Sequence, residues 1–428
     1  VNQALQHEHA PSQLIVRFRN ESATSQRQQL INGLDATVLH ESSLTGIHVL
    51  ELGADVDLAD ALAMAREYPQ VSYAEPNYVY HATRTPNDPM FDQLWGLENS
   101  TGDTDINATA AWDISTGSRD IVVAVIDTGV DYTHPDLNAN MWTNISEIPN
   151  NGLDDDGNGY IDDVYGANFI AGDGDPMDTD GHGTHVAGTI GALGDNGMGV
   201  VGVNWNVRIM ALKFIGPAGG TTADAIEAID YAVDKGAHLS NNSWGGGPYS
   251  QALKDSIAAA MRAGQLFVAA AGNDANNNDQ SPAYPASYDL DNIISVAAVD
   301  IDGELASFSN YGETTVDIAA PGVDILSTIP GAGYNSNSGT SMASPHVAGV
   351  AALLYATHPS WAWQDVRAAI MNTATPLDSV KGKVATNGHL NAYAALRAAG
   401  RGLVAYFRGD DGASDQDGGR SVEDFTIS

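Results

Sequence analysis

Ile121-Val-Val-Ala-Val-Ile126 is an unbroken apolar run that ends in an acid, Asp127, followed by the turn Thr128-Gly129. A short run of this kind reads as a strand buried on both faces, inside a sheet that helices cover. Further strand-like runs at Arg208 to Phe214, His238 to Asn242, Gln265 to Ala270 and Ile293 to Val299 alternate with helical stretches. Those stretches are Ala223 to Lys235, Tyr249 to Ala263 and Met342 to Thr357. The alternation predicts an α/β fold with a doubly wound, mostly parallel sheet and helices on both faces. Sites in such sheets lie outside the carboxyl ends of strands, where Asp127 falls.

Two other segments carry matching chemistry. Asp180-Gly-His-Gly-Thr-His-Val-Ala-Gly188 is a glycine turn leading into a helix with His182 at its start. Gly339-Thr-Ser-Met-Ala-Ser-Pro-His346 places Ser341 among small residues where another helix opens. A serine hydroxyl needs a neighbouring base to take its proton, and an imidazole of ordinary pKa suits that task. A buried carboxylate fixes the tautomer of the base and stabilises the imidazolium. The three segments resemble the subtilisin-like serine proteases, or subtilases, over roughly residues 85–400. The resemblance assigns Asp127, His182 and Ser341 as the triad. Phe267-Val-Ala-Ala-Ala-Gly-Asn-Asp274 resembles the family's oxyanion segment, which makes Asn273 the side-chain donor to the oxyanion. Each residue alone is commonplace: a turn acid, a loop histidine, a helix cap, a turn asparagine. Their joint occurrence in one order, each inside a family-like motif, favours catalysis. His185 and His346 read as helix-packing residues.

Asn241-Asn-Ser-Trp-Gly-Gly-Gly-Pro248 resembles the segment that pairs with extended substrate in this family, through Ser243, Trp244 and Gly245. Ala270, Ala271 and Gly272 match the opposite wall and Ala283 the base of the pocket. That match implies a roomy S1 pocket preferring large apolar or aromatic P1 residues.

Asn151-Gly-Leu-Asp-Asp-Asp-Gly-Asn-Gly-Tyr-Ile-Asp-Asp163 suits a hard cation. Asp154, Asp156 and Asn158 alternate like the first ligands of an EF-hand, with a carbonyl expected from Tyr160. The twelfth position is Tyr165 rather than Glu, so the loop is read as a subtilase insertion whose shell Asp163 or Asp162 completes. The resemblance implies a second calcium site from Asp88, Asp136 and Asn196 with carbonyls of Gly194, Met198 and Val200. It also suggests a weaker cation site near Ala286, Tyr288 and Asp317. The resemblance thus implies structural calcium in two or more sites, with chemistry that needs no metal.

Residues 11–81 carry the order β-α-β-β-α-β, a small ferredoxin-like α+β unit. Placed before a subtilase domain, it resembles the family's propeptide, a folding assistant and intramolecular inhibitor whose end, near Tyr78 to Thr83, would fill the substrate cleft. The expected organisation is a propeptide over 1–83, a catalytic domain over 84–400, and a linker or truncated extension over 401–428. The processing junction is placed near Thr83 to Thr85.

The chain has 54 acidic and 18 basic residues, a net charge of −36, which argues against a nucleic-acid surface. Without cysteine it has no disulfides, and bound ions are the alternative stabiliser. No apolar run is long enough to span a membrane. The first residue is Val with no charged-then-apolar leader, so any secretion signal is already removed or lies outside this sequence. The leading expectation is a secreted, extracellular, monomeric serine endopeptidase acting on proteins or peptides. The alternatives are an inactive calcium-binding scaffold or adhesion module, and a ligase or selective convertase on the same fold.

Overall fold

The computed structural model describes residues 9–19, 22–79, 84–100, 102 and 104–400. The expected linker over 401–428 lies outside them, as do residues 80–83 of the cleft-filling segment and the start of the junction. The chain divides into two compact units, Val1–Ala82 and Thr83–Ser428.

In the first unit, β1 (His9–Phe18), α1 (Thr24–Gly33), β2 (Thr37–Glu41), β3 (Ile47–Glu51), α2 (Leu58–Glu67) and β4 (Val71–Tyr78) follow the expected order. The antiparallel sheet runs β2-β3-β1-β4, so β4 is an edge and tolerates Pro76. Alternate residues Leu14, Val16 and Phe18 pack against Leu30 and Leu62 of the two helices. Asp57 caps α2, accepting from the Ala59 and Asp60 amides.

The second unit contains α3 (Ala108–Trp112), β5 (Gly117–Asp127), β6 (Gly166–Asn168), α4 (His182–Gly191), β7 (Asn206–Lys213), α5 (Thr222–Asp234), β8 (Leu239–Asn242), α6 (Gln251–Arg262), β9 (Leu266–Ala270) and β10 (Ile293–Val299). Then come β11 (Ile318–Pro321), the hairpin β12 (Ile325–Ile329) and β13 (Gly333–Asn337), α7 (Thr340–Thr357), α8 (Trp363–Asn372), the short β14 (Thr375–Pro376) and β15 (Gly388–His389), and α9 (Ala392–Gly400). The nine-stranded sheet has the order β14-β15-β11-β10-β9-β8-β5-β7-β6. Every neighbouring pair is parallel except β14 with β15.

The apolar run in β5 explains itself here. Ile121, Val123 and Val125 face a core shared with α4 and α7, while Val122, Ala124 and Ile126 face one shared with α5 and α6. Both faces are covered, so no polar alternation is tolerated. The doubly wound expectation is met. The hairpin and the two-residue strands β14 and β15 were not anticipated, being too short to show a period.

Candidate active site

β5 ends in Asp127, whose carboxylate is fully buried. α4 starts at His182, whose Nδ1 lies 2.7 Å from Asp127 Oδ1. The approach is close because Gly183 follows: a Cβ there would sit 2.1 Å from the Gly129 carbonyl oxygen. Asp127 beside the ring, against the cost of burial, holds the His182 pKa up at about 9 rather than near 6.5. Neighbouring His185 shows the opposite balance. Buried and bonded through Nε2 to the Ile325 carbonyl at 2.8 Å, it is pushed down to about 4. His346, also buried, donates its Nδ1 proton to the Met342 carbonyl at 2.9 Å.

Ser341 stands in the first turn of α7, behind Thr340. Its hydroxyl donates to the Ser243 carbonyl at 3.1 Å, not to His182. β8 pairs with β5 as far as Val125 and Asn241 and ends at Asn242, so Ser243 follows directly at its carboxyl end. The Ser341 hydroxyl therefore sits at the carboxyl edge of the sheet, on the strand next to that of Asp127. Pro345 has no N–H to give the Ser341 carbonyl four residues back, and the Ser243 hydroxyl supplies that bond at 2.9 Å. Ser243 also bonds Ser344 Oγ at 2.8 Å.

The Asn273 side chain is oriented by Thr340, whose N–H and hydroxyl both donate to Asn273 Oδ1. Its Nδ2 has no partner among the described residues and is left as a free donor. The segment carrying Asn273 is pinned from outside the motif. Asn310 Oδ1 accepts the Asp274 and Asn276 amides, and Asn310 Nδ2 donates to the Ala271 carbonyl. No local signal marks Asn310, because its role exists only once the chain has folded around it.

The expected substrate walls divide in two. Gly272 lies against Ala283: a Cβ on it would be 3.7 Å from the Ala283 Cβ, and 2.3 Å from Asn310 Nδ2, so only glycine fits. Gly245 faces the Tyr284 carbonyl across from it. Ala270 is nearly buried at the end of β9, and Ala271 belongs to a core with Ala297 and Val316, so Ala271 offers backbone alone. Trp244 turns away, edge-on to Phe214 at 4.8 Å. With Phe214, Thr222, Leu253 and Tyr284 it lines a recess of about 400 Å³ that Gly245 also borders.

The cation-site residues fall into three outcomes. Asp88 and Asp136 are both buried, and Asn196 touches both, through its N–H to Asp88 and its Nδ2 to Asp136 at 2.7 Å. Val200 N–H and Tyr334 OH also donate to Asp136. Burial, with the like charge of Asp136 adding to it, raises the Asp88 pKa. Among the described residues no Lys or Arg pairs with either acid; their carboxylate oxygens accept N–H and O–H donors, and Asn196 Oδ1 accepts the Met198 N–H at 2.7 Å. Gly194, Met198 and Val200 lie on the loop that carries Asn196.

In the insertion loop, carboxylate oxygens of Asp154, Asp156 and Glu147 lie within 4.8 Å of one another. Glu147 is buried, its Oε1 accepting from the Asp155 and Asp156 amides and its Oε2 having no partner. An orphaned buried carboxylate oxygen fits a cation. Glu147 is thus a third carboxylate beside Asp154 and Asp156, where the sequence suggested Asp163 or Asp162. Asp163 is saturated by Asn144, Asn158 and Tyr231, and Asp162 clasps the Asn151 and Gly152 amides. Asn158 spends its oxygen on the Tyr160 N–H. Lys235 Nζ, from the end of α5, pairs with Asp156 at 2.5 Å. Near the third expected site, at Ala286 and Tyr288, Asp317 pairs with the Arg367 guanidinium at 2.6 Å.

The sequence profile described as the Subtilase family matches residues 118–401. The chain belongs to the subtilase family. The profile of the fervidolysin N-terminal prodomain matches residues 1–77. This subtilase is 38% identical to a thermophilic serine proteinase of Bacillus sp. strain AK1 over 90% of its own length and 87% of that protein. It is 36% identical to an extracellular protease of Xanthomonas campestris over 83% of its length and 66% of that protein. Among solved structures it is similar to fervidolysin from Fervidobacterium pennivorans, a keratinolytic enzyme related to subtilisin, with TM-score 0.59 and 27% identity over 91% of this chain and 61% of that one. The chain is thus a subtilase serine protease with an N-terminal prodomain. Among the described residues no helix is long and apolar enough to cross a membrane.

Proposed function

We propose that this subtilase is a secreted, calcium-stabilised endopeptidase, made as an autoprocessed zymogen, with Asp127, His182 and Ser341 as its triad. The observation that carries the reading is the 2.7 Å bond between Asp127 and His182 at the sheet edge where Ser341 opens α7. Secretion is supported by the extracellular relative.

Catalysis begins when the Ser341 hydroxyl rotates from the Ser243 carbonyl to His182 Nε2. Neutral His182 takes the proton as the oxygen attacks the scissile carbonyl, and Asp127 stabilises the imidazolium. The Ser341 N–H, unbonded in the first turn of α7, and Asn273 Nδ2 receive the oxyanion. His182 then protonates the leaving amine, an acyl-enzyme remains on Ser341, and a water activated by the same imidazole releases it. Extended substrate pairs with the backbone of 243–247. Its P1 side chain, large and apolar or aromatic, enters between Gly245, Gly272 and Ala283, and a second apolar side chain fills the recess beside Trp244.

Calcium is structural. Asp88, Asp136 and Asn196, and separately Glu147, Asp154 and Asp156, would hold it, with neutralisation of packed acids as its contribution. The domains are a propeptide to about residue 83, which inhibits until cut, and a catalytic domain over 84–400.

A fluorophosphonate probe tests the core of this reading. It should label Ser341 in the matured chain, and Ser341→Ala should accumulate as uncut precursor without peptidase activity. Normal maturation and casein digestion by that variant would refute the assignment.

A further inference from the structure

His182 is the first residue of α4, so its imidazole stands at the positive end of the helix macrodipole. That field opposes the imidazolium that base catalysis must form. The first turn of α4 has no acid, and the cap residue Gly181 has no side chain. Compensation comes from Asp178, which is only 3% exposed. Its Oδ1 accepts from the Asp180 and Gly181 amides at 2.9 and 3.0 Å. Its Oδ2 accepts from the Thr184 amide at 3.0 Å and the Thr184 hydroxyl at 2.6 Å. Four donors and no acceptor face this side chain, an environment that only an ionised carboxylate satisfies.

Those donors bracket His182 on both sides. The lacing continues into the turn after β5: Asp131 N–H donates to the Thr184 hydroxyl at 2.9 Å, Gly183 N–H to the Thr128 hydroxyl at 2.9 Å, and Val130 N–H to the Pro176 carbonyl at 3.0 Å. The turn that ends in His182 and the turn that follows Asp127 are thereby one bonded unit, with Asp178 at its centre.

We propose that Asp178 is a positioning residue for His182: its charge offsets the helix-end field, and its four bonds hold the backbone on either side of the imidazole. This rests on His182 acting as the catalytic base. The groups facing the ring are Asp127 from β5, Asp178 and Asp180 from the turn, and His185 one helical turn along. Asp127 makes the largest contribution to the raised His182 pKa, with Asp180 and Asp178 adding to it. Asp180 is exposed and screened by salt, whereas Asp178 is buried and is not.

The test follows the His182 ring by NMR titration in the full-length Ser341→Ala chain, alongside kcat and KM in the active chain. Asp178→Asn should shift the His182 pKa downward, by less than loss of Asp127 would. It should also cut kcat by about ten- to a hundredfold while KM changes by less than about twofold. Asp178→Glu, which keeps the charge but not the geometry, should hold the pKa and still lose kcat. If Asp178→Asn does not fold, Thr184→Val removes one donor at constant volume and should lower kcat several-fold with the pKa unchanged. A wild-type titration curve in Asp178→Asn, or unchanged kcat in Thr184→Val, overturns the proposal. Failure of the underlying reading looks different: an active His182→Ala variant, or no fluorophosphonate label on Ser341 in the otherwise unmutated chain.

Discussion

The Thr340 N–H and hydroxyl donate to Asn273 Oδ1 at 2.9 and 3.0 Å, so the asparagine amide is oriented before any substrate arrives. Preorganisation of this kind makes an oxyanion donor effective, because no reorganisation remains at the transition state. Asn273→Ala should therefore lower kcat by about 10²–10³, a magnitude for which a subtilisin is itself the type case, while KM moves little. Thr340→Val should cost less, since it loosens the amide without removing it. Steady-state kinetics on one peptide substrate check both, and an Asn273→Ala enzyme with undiminished kcat would remove Asn273 from the mechanism.

The pH dependence follows from His182. Its pKa, held up at about 9 by Asp127, means the ring must lose a proton before it can act as base. kcat/KM should rise with pH, its midpoint well above the ordinary value of 6.5 and towards 9. For stability the sign is fixed by the same shift. A pKa raised on folding stabilises the native state fully below about pH 6.5, and that contribution is lost as pH rises through about 9. Denaturation of Ser341→Ala against the double variant with His182→Gln should show the difference narrowing over that window. A kcat/KM midpoint at or below 6.5 would contradict the coupling.

Calcium removal should act on stability alone. Mass action at a thousandfold excess over Kd is worth about 4 kcal/mol per site. Chelation should lower the Tm and speed autolysis, with initial kcat on a short peptide preserved until unfolding begins. Glu147→Gln should weaken the loop site about tenfold or more, as read by terbium luminescence, and leave the Asp88–Asp136 site intact. An unchanged Tm after thorough chelation would count against both sites.

Peptide specificity should show two apolar demands. Phe or Leu at P1 should exceed Lys or Arg, because the walls proposed for the pocket, Gly245, Gly272 and Ala283, are uncharged. Trp244→Ala should raise KM about tenfold for peptides that place an apolar side chain in the recess beside it, an apolar burial being worth about 1.5–3 kcal/mol. Peptides truncated before that position should be unaffected. A panel favouring basic P1 residues would overturn the first expectation, and equal effects on both peptide lengths the second.

The parallel sheet, both flanking helix layers and the ends that carry Asp127 and His182 were legible in sequence, because they follow from interactions between near neighbours. An unbroken apolar strand must be covered twice, a glycine turn permits a helix to start, and a proline six residues into α7 leaves a carbonyl needing a donor. Which donor it finds is not written locally. Ser243 answers Pro345 from another strand, Asn310 braces Asn273, and Thr340 turns its amide. The same limit governed the charges. Acids spaced like an EF-hand suggested a cation loop, but the spacing could not show that Tyr231 bonds Asp163, that Glu147 lies beside Asp154 and Asp156, or that Arg367 pairs with Asp317. A carboxylate's partner is chosen by whichever donor packing delivers to within hydrogen-bond reach, and burial makes that choice decisive by removing water as the alternative.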